Sequence, residues 1–448
     1  MHIDENIMKY ISAETDWSHN IIQQAIEAAV AKGISLDEYV RFSCWELTDN
    51  EMDELSVLLE QVHIRQKQEE EWYLQIAHRR SLRPIASLRK EVKQLKQLGV
   101  PSHRYARQGL FYPVRNKHAL KKAQQKKKQV QKKNAYFYKI CKKTGWSASR
   151  TEIEVTKAWL NCGANYENYF RFNMHKCSAE EQKTYLTREH YNKMTFFWND
   201  YFAKRLLNKK SSFNRIYSPY IKRRWFINRN LSYTGFLKKI HGLENILVKP
   251  VNTTHGKGIQ KFSCNVEDKK ALYNMVMAFP ESVVEEYIVQ HPDIAAFCSS
   301  SVNTVRVVTL NAHGTCNILF AIIRMGQGDI VDNVHAGGIA AGVDVKTGVI
   351  STDAIDADDQ IYITHPCSNL PIRGFQIPNW DAVIDLCQKC YRKIPGVNLI
   401  GWDIAITSDG VDLIEGNSSP AFDSAQALSL QLGKGLRADI ATPFLPEY

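Results

Sequence analysis

Apolar residues in the first half of the chain recur at helical spacing, and beyond about residue 235 the pattern changes to that of short strands. Ile21, Ile22, Ala25, Ile26, Ala29 and Val30 give one apolar helical face, which stops at Gly33. A second helix is expected from about Asn50, through Leu55, Leu58, Leu59 and Val62, toward the charged Arg65–Glu71 segment. After residue 235, β-rich runs appear at Asn245–Val251, Ser282–Ile288, Thr304–Leu310, Cys316–Met325 and Trp402–Thr407. Turn sequences punctuate them: Asn311-Ala312-His313-Gly314, Lys346-Thr347-Gly348 and Ser408-Asp409-Gly410. Helices are expected between strands at about Glu267–Phe279 and Trp380–Lys393. The pattern predicts an α+β fold dominated by antiparallel hairpins rather than alternating βαβ units.

Composition sharpens the division. Residues 1–234 hold 5 of the 23 glycines but 42 of the 58 Lys and Arg, against 24 of the 47 acids. Few glycines and many good helix formers make that half mainly helical. We expect a basic helical region over 1–144, a helical segment over 145–234 and a distinct domain over 235–448. From Val92 to Thr151 there is no Asp or Glu, while 17 residues are Lys or Arg. Such a stretch is either a solvated helix face or a surface for phosphates, acidic glycans or anionic lipid headgroups. Tyr112, Tyr136, Phe137 and Tyr138 lie nearby, but their spacing matches no RNA-binding motif, so nucleic acid is not the expected partner.

Several classes receive no support. No run approaches the ~18 apolar residues of a membrane span, and the N-terminus lacks the basic-then-apolar character of a signal peptide. Ten cysteines are scattered singly, as expected of reduced thiols in a cytosol. The Cys387-x-x-Cys390 pair has no second pair or His cluster to complete a zinc site. Neither GxGxxG nor a Walker A sequence is present. A cytoplasmic location is expected, with peripheral contact to a membrane face through the basic stretch as an extension of it.

The segment richest in chemistry is Gly401–Pro420, which reads as two strands joined by an Asp-Gly turn. Glu415 and Asn417 are two apart on one strand and share a face. Hairpin pairing brings Asp403 beside them. Two carboxylates and an amide carbonyl on one sheet face make a hard-oxygen site suited to Mg²⁺. The plainer reading is a hairpin with solvated polar ends. Against it, Ile404, Ile406, Leu413 and Ile414 supply apolar surface that should bury much of the hairpin.

Here the sequence resembles the ATP-grasp superfamily, whose metal triad has the form Asp…Glu-x-Asn. The trailing Ser418-Ser419-Pro420 looks like the Asn-x-Ser-Pro ending of its glutathione synthetase-like members. The nearest resemblance is to the sugar-transfer-associated ATP-grasp proteins of bacterial polysaccharide loci, and it covers roughly residues 145–448. It implies two α+β lobes clasping ATP, a small lobe over about 235–288 and a large lobe over about 289–448. By the same resemblance, Asp403, Glu415 and Asn417 would hold Mg²⁺, with two ions expected and Mn²⁺ as a substitute. Lys249, in Leu247-Val248-Lys249-Pro250, would reach α/β-phosphate oxygens, and Gly256, Lys257 and Gly258 would form the glycine-rich flap. Glu285, Glu286 and Ile288 resemble the interlobe hinge that receives adenine. Lys222, in Lys222-Arg223-Arg224, is taken as the first ATP lysine. Arg306 and Arg324 would face the transferring phosphate, with Asn333 near the acyl phosphate. Two positions depart from the family: Ile339 stands where an arginine follows the paired glycines, and Gly401 where an arginine precedes the first metal carboxylate.

The resemblance implies an ATP-dependent carboxylate–amine ligase working through an acyl phosphate. Its donor would be a sugar acid or glycan-linked carboxylate, and its acceptor an amino acid or amine. Two other classes stay open: a kinase acting on a hydroxyl, and a polyanion-binding protein with a degenerate ATP site.

Overall fold

A computed structural model describes residues 49–81, 84–97, 130–200, 202–251, 258–328, 332, 334, 337–420 and 422–445, with single helical positions at 23 and 27. The helix expected over 21–33, the basic run through residue 129, and Gly256, Lys257 and Asn333 therefore lie outside the described residues, as do the side chains of Lys132 and Lys133. The described residues fall into two compact units that divide between Glu189 and His190.

The first unit is helical. Its described helices are α1 (Asp49–Ser81), α2 (Ile85–Gln97), α3 (Val130–Thr144), α4 (Ala148–Cys162), α5 (Tyr166–Arg171) and α6 (Ala179–Lys183). The helix expected from Asn50 is thus present, and longer than its apolar stripe. Trp72, Tyr73, Leu74 and Ile76 bury its later turns, while Lys157 of α4 pairs with Glu54 of α1 at 2.6 Å.

Helix α7 (Arg188–Trp198) spans the division, and the second unit continues with α8 (Ala203–Asn208) and α9 (Lys210–Ile216). Two antiparallel sheets follow. The smaller has the order β1-β4-β2-β3, built from β1 (Trp225–Ile227), β2 (Asn245–Pro250), β3 (Gln260–Ser263) and β4 (Ser282–Glu286). Helices α10 (Tyr233–Ile240) and α11 (Lys269–Ala278) enclose with it a separate apolar core, in which Phe236, Ile246, Val248, Val276 and Val284 are buried. Strand alternation explains the rest: Ile246 and Val248 face the core, so Lys249 faces the opposite side.

The larger sheet has seven strands in the order β11-β10-β5-β6-β7-β8-β9. They are β5 (Thr304–Ala312), β6 (Thr315–Met325), β7 (Ile339–Val343), β8 (Ala354–Ile355), β9 (Ile361–Tyr362), β10 (Leu399–Thr407) and β11 (Gly410–Asn417). The β5–β6 turn places His313 and Gly314 at φ of 51° and 82°, the left-handed pair that a tight two-residue hairpin demands. Helix α12 (Trp380–Cys390) packs Trp380, Val383, Leu386, Cys387 and Cys390 into the core beneath this sheet. The two cysteines are thus packing residues, and no group of three or more His, Cys, Asp and Glu able to hold a metal occurs among the described residues. Leu207, Phe213, Tyr217 and Ile221 join the same core, so α8 and α9 are an integral layer of the second unit. No helix among the described residues is long and apolar enough to cross a membrane.

Candidate active site

Strands β5, β6, β10 and β11 lie side by side, and their polar residues emerge on one face. Asp403 is the direct partner of both Arg306 on β5 and Glu415 on β11, while Thr304 pairs with Arg324 on β6. Intervening residues point the other way: Trp402, Ile404, Val305 and Ile323 are fully buried in the core. The period of two thus separates a packed face from a chemical face.

On the chemical face Arg306 grips Asp403 in a two-point fork, Nε to Oδ1 and Nη2 to Oδ2, both at 2.7 Å. Arg324 Nη2 reaches the same Oδ2 at 2.9 Å. Burial alone would raise the Asp403 carboxyl, but the two guanidinium groups outweigh it and hold the group well below the usual carboxylate range. Glu415 behaves in the opposite sense. Burial raises it, the neighbouring Asp403 charge raises it further, and the arginines only partly compensate. The same surroundings thus push the two neighbouring carboxyls in opposite directions. Asn417 donates its Nδ2 to Glu415 Oε1 at 3.2 Å and to Asp403 Oδ2 at 3.4 Å. Two carboxylates with an amide beside them suit a divalent cation, so the donor set fits the expected ion. Ligation through the Asn417 carbonyl requires its amide to turn over.

Arg324 also bonds Thr304 Oγ1 through Nε at 3.0 Å and Nη2 at 2.6 Å, and lies 3.5 Å from Asp332. Asp332 in turn accepts the Thr304 hydroxyl and, at 3.1 Å, its backbone N–H. Sequence reasoning did not single out Asp332. It ties the segment after β6 to the same arginine that serves Asp403.

The smaller sheet contributes Lys249, whose Nζ lies 2.6 Å from Glu285 Oε2. Glu285 is buried and also accepts Arg223 Nε at 3.0 Å, Arg223 Nη2 at 3.1 Å and Asn214 Nδ2 at 2.9 Å. Burial would raise its carboxyl, yet Arg223 and Lys249 hold it well below the ordinary range. Glu286 turns outward and accepts the Arg224 backbone N–H at 3.0 Å. Ile288 is buried just beyond β4. Gly258 has φ of 75° where the chain returns toward β3, a conformation that favours glycine.

Lys222 is exposed at the tip of the β10–β11 hairpin, its Nζ 3.2 Å from the Asp409 carbonyl. Lys210, by contrast, has site carboxylates among its charged neighbours. It is half-buried at the start of α9, and burial lowers its ammonium, with Glu415, Lys249 and Glu285 as its charged neighbours. Asn214 lies one turn further along the same face and bonds Glu285, while Asn208 accepts the Ser418 hydroxyl at 3.0 Å. Nothing in the pair Lys209-Lys210 marks it in sequence. Its significance comes from where α9 packs.

A four-stranded and a seven-stranded antiparallel sheet, with carboxylates on one and a lysine strand on the other, make the second unit an ATP-grasp fold. Residues 226–440 match the sugar-transfer associated ATP-grasp family. No curated protein matches the sequence. Among solved structures, the ATP-grasp ligase PsnB complexed with minimal precursor is 13% identical, with a TM-score of 0.31, and the match covers 50% of this chain and 56% of that one. D-alanine–D-alanine ligase from Bacillus anthracis complexed with ATP is 13% identical with a TM-score of 0.32, over 53% and 63% of the two chains. N5-carboxyaminoimidazole synthase from Aspergillus clavatus, in complex with ADP and 5-aminoimidazole ribonucleotide, is 12% identical with a TM-score of 0.35, over 56% and 54%. The chain thus spans a little over half the length of these structures.

Proposed function

We propose that this protein is an ADP-forming ligase that phosphorylates a carboxylate and passes the resulting acyl group to an amine. The observation that carries this reading is the single sheet face on which Asp403, Glu415 and Asn417 meet Arg306 and Arg324. In this reading Lys249 and Lys210 hold triphosphate oxygens, with Lys210 taking the part expected of Lys222. Asp403, Glu415 and the Asn417 carbonyl hold Mg²⁺, which neutralises charge on the nucleotide. Arg306 is kept in one orientation by its fork on Asp403, which leaves Nη1 to meet the transferring phosphoryl group. Arg324 lies between Asp403 and Asp332, where it stabilises the acyl phosphate oxygens. A carboxylate oxygen of the donor attacks the γ-phosphorus, ADP leaves, and the amine then displaces phosphate. No covalent enzyme nucleophile is needed.

The family description supports a sugar-linked substrate, so we take the donor to be a uronic acid or a glycan carboxylate. The basic stretch over 92–151 would suit an acidic glycan or an anionic membrane surface. The test is to supply Mg-ATP, candidate uronic acids and hydroxylamine, and to identify nucleotide and sugar products. A hydroxamate formed with ADP and phosphate is the expected result. A stable phospho-sugar with ADP would replace the ligase by a kinase, and AMP with pyrophosphate would overturn both.

A further inference from the structure

Arg223 lies between the two sheets of the second unit, and every one of its guanidinium nitrogens is engaged. On one side Nε and Nη2 fork onto Glu285 of β4 at 3.0 and 3.1 Å. On the other, Nη1 meets Asp412 Oδ1 at 3.1 Å and the Leu413 carbonyl at 2.8 Å, while Nη2 reaches the Ile414 carbonyl at 3.3 Å. Asp412 further accepts the backbone N–H of Lys222 at 2.9 Å and of Arg223 at 3.3 Å. The Arg223, Glu285 and Asp412 side chains are all nearly inaccessible to solvent. Lys249 closes the group through its 2.6 Å contact with Glu285. Two cations and two carboxylates thus meet here, with Lys249 half-buried and the other three buried.

That arrangement bears on how Lys249 can serve a nucleotide. A lysine held only by a buried carboxylate could leave it for a phosphate only by stranding that carboxylate without a partner, which is costly. Here Glu285 keeps a two-point bond to Arg223 when Lys249 moves away. We propose that Arg223 is a positioning residue for ATP binding: by neutralising Glu285, it releases the Lys249 ammonium for the triphosphate. The proposal rests on the ATP-grasp reading of the site, and its strength is set by Asp412, which competes with Glu285 for the same guanidinium.

The experiment is a double-mutant cycle on ATP affinity in the full-length protein, with thermal unfolding followed in parallel. Arg223→Lys keeps the charge but loses the fork, and it should weaken ATP binding about tenfold, within the usual coupling between contacting residues. In a Lys249→Ala background the same change should have little further effect. Asp412→Asn removes the carboxylate that competes with Glu285 for Arg223, so ATP should bind more tightly, and again only while Lys249 is present. Effects of Arg223→Lys and Lys249→Ala that simply multiply would overturn the proposal, as would an Asp412→Asn protein that binds ATP more weakly. If Arg223→Lys does not fold, the sign of the Asp412→Asn effect decides alone. Failure of the wild-type protein to bind ATP would instead sink the underlying ATP-grasp reading, and is read separately.

Discussion

Glu415 shows what a carboxylate costs when it is set beside another one in a largely buried place. Burial disfavours its charge, Asp403 beside it adds to that, and Arg306 and Arg324 compensate only in part. Its carboxyl is raised, so the folded chain binds that proton more readily than the unfolded chain does. The ionised form therefore costs stability above the ordinary value of 4.5, and the cost disappears as pH falls below it. Glu415→Gln should accordingly raise the thermal midpoint at neutral pH, by about 0.5–2 kcal/mol in stability terms, as removing strain at a functional site commonly does. The same change should abolish stabilisation by added Mg²⁺. A Glu415→Gln protein that still gained stability from Mg²⁺ would remove Glu415 from the metal site. The Asp403, Glu415 and Asn417 cluster was readable only in part: the two-residue turn alone would set Asp403 opposite Ile414, and the register shift between Asp403 and Ile404 is what brings Glu415 beside it. Lys210 and Arg223 were not readable. Each is one of several adjacent basic residues, and what distinguishes them is a carboxylate more than 60 positions away.

At the scale of elements, β11 is pressed closely against α8 and α9. A Cβ on Gly416 would lie 2.8 Å from Leu207 Cδ1 and 3.1 Å from Phe213 Cε2, both part of the same core. Gly416→Ala should therefore push these helices off the strand and cost about 1–3 kcal/mol, the usual penalty for overpacking. Because Lys210 begins α9, ATP affinity should fall as well, and a melting curve with a nucleotide titration would check both. Unchanged affinity in a destabilised protein would mean that Lys210 does not contact the nucleotide. The strands themselves were largely legible. The runs at Asn245, Ser282, Thr304 and Cys316 each begin within one residue of an observed strand, because alternation over a buried face leaves a strong mark. The short strands β1, β8 and β9, two or three residues each, left no period to detect.

For the whole molecule, the boundary near residue 235 drawn from composition differs from the division between Glu189 and His190. Composition follows glycine and charge, whereas the physical unit follows contacts. Asn199 illustrates the difference. Its side chain donates to the carbonyls of Leu399 and Ser418 at 2.7 and 2.8 Å and accepts the N–H groups of Asn398 and Leu399, both at 2.8 Å. A residue upstream of the family match thereby fastens the start of β10 to the end of β11. Residues 190–445 expressed alone should fold and bind Mg-ATP. A chain begun at 226 should not, since it lacks Leu207, Phe213, Tyr217 and Ile221 of the core. Cooperative unfolding of the shorter chain at a similar temperature would show that the preceding helices are dispensable.

Gly401 stands where the resemblance leads one to expect an arginine, and Pro420 and Arg306 lie close above it. A Cβ there would lie 3.0 Å from Pro420 Cβ and 3.7 Å from Arg306 Cδ. A side chain at 401 therefore needs Pro420 to give by a few tenths of an ångström. The two positions are thus coupled through one contact, and a side chain at 401 should be accepted more readily once residue 420 has been changed as well.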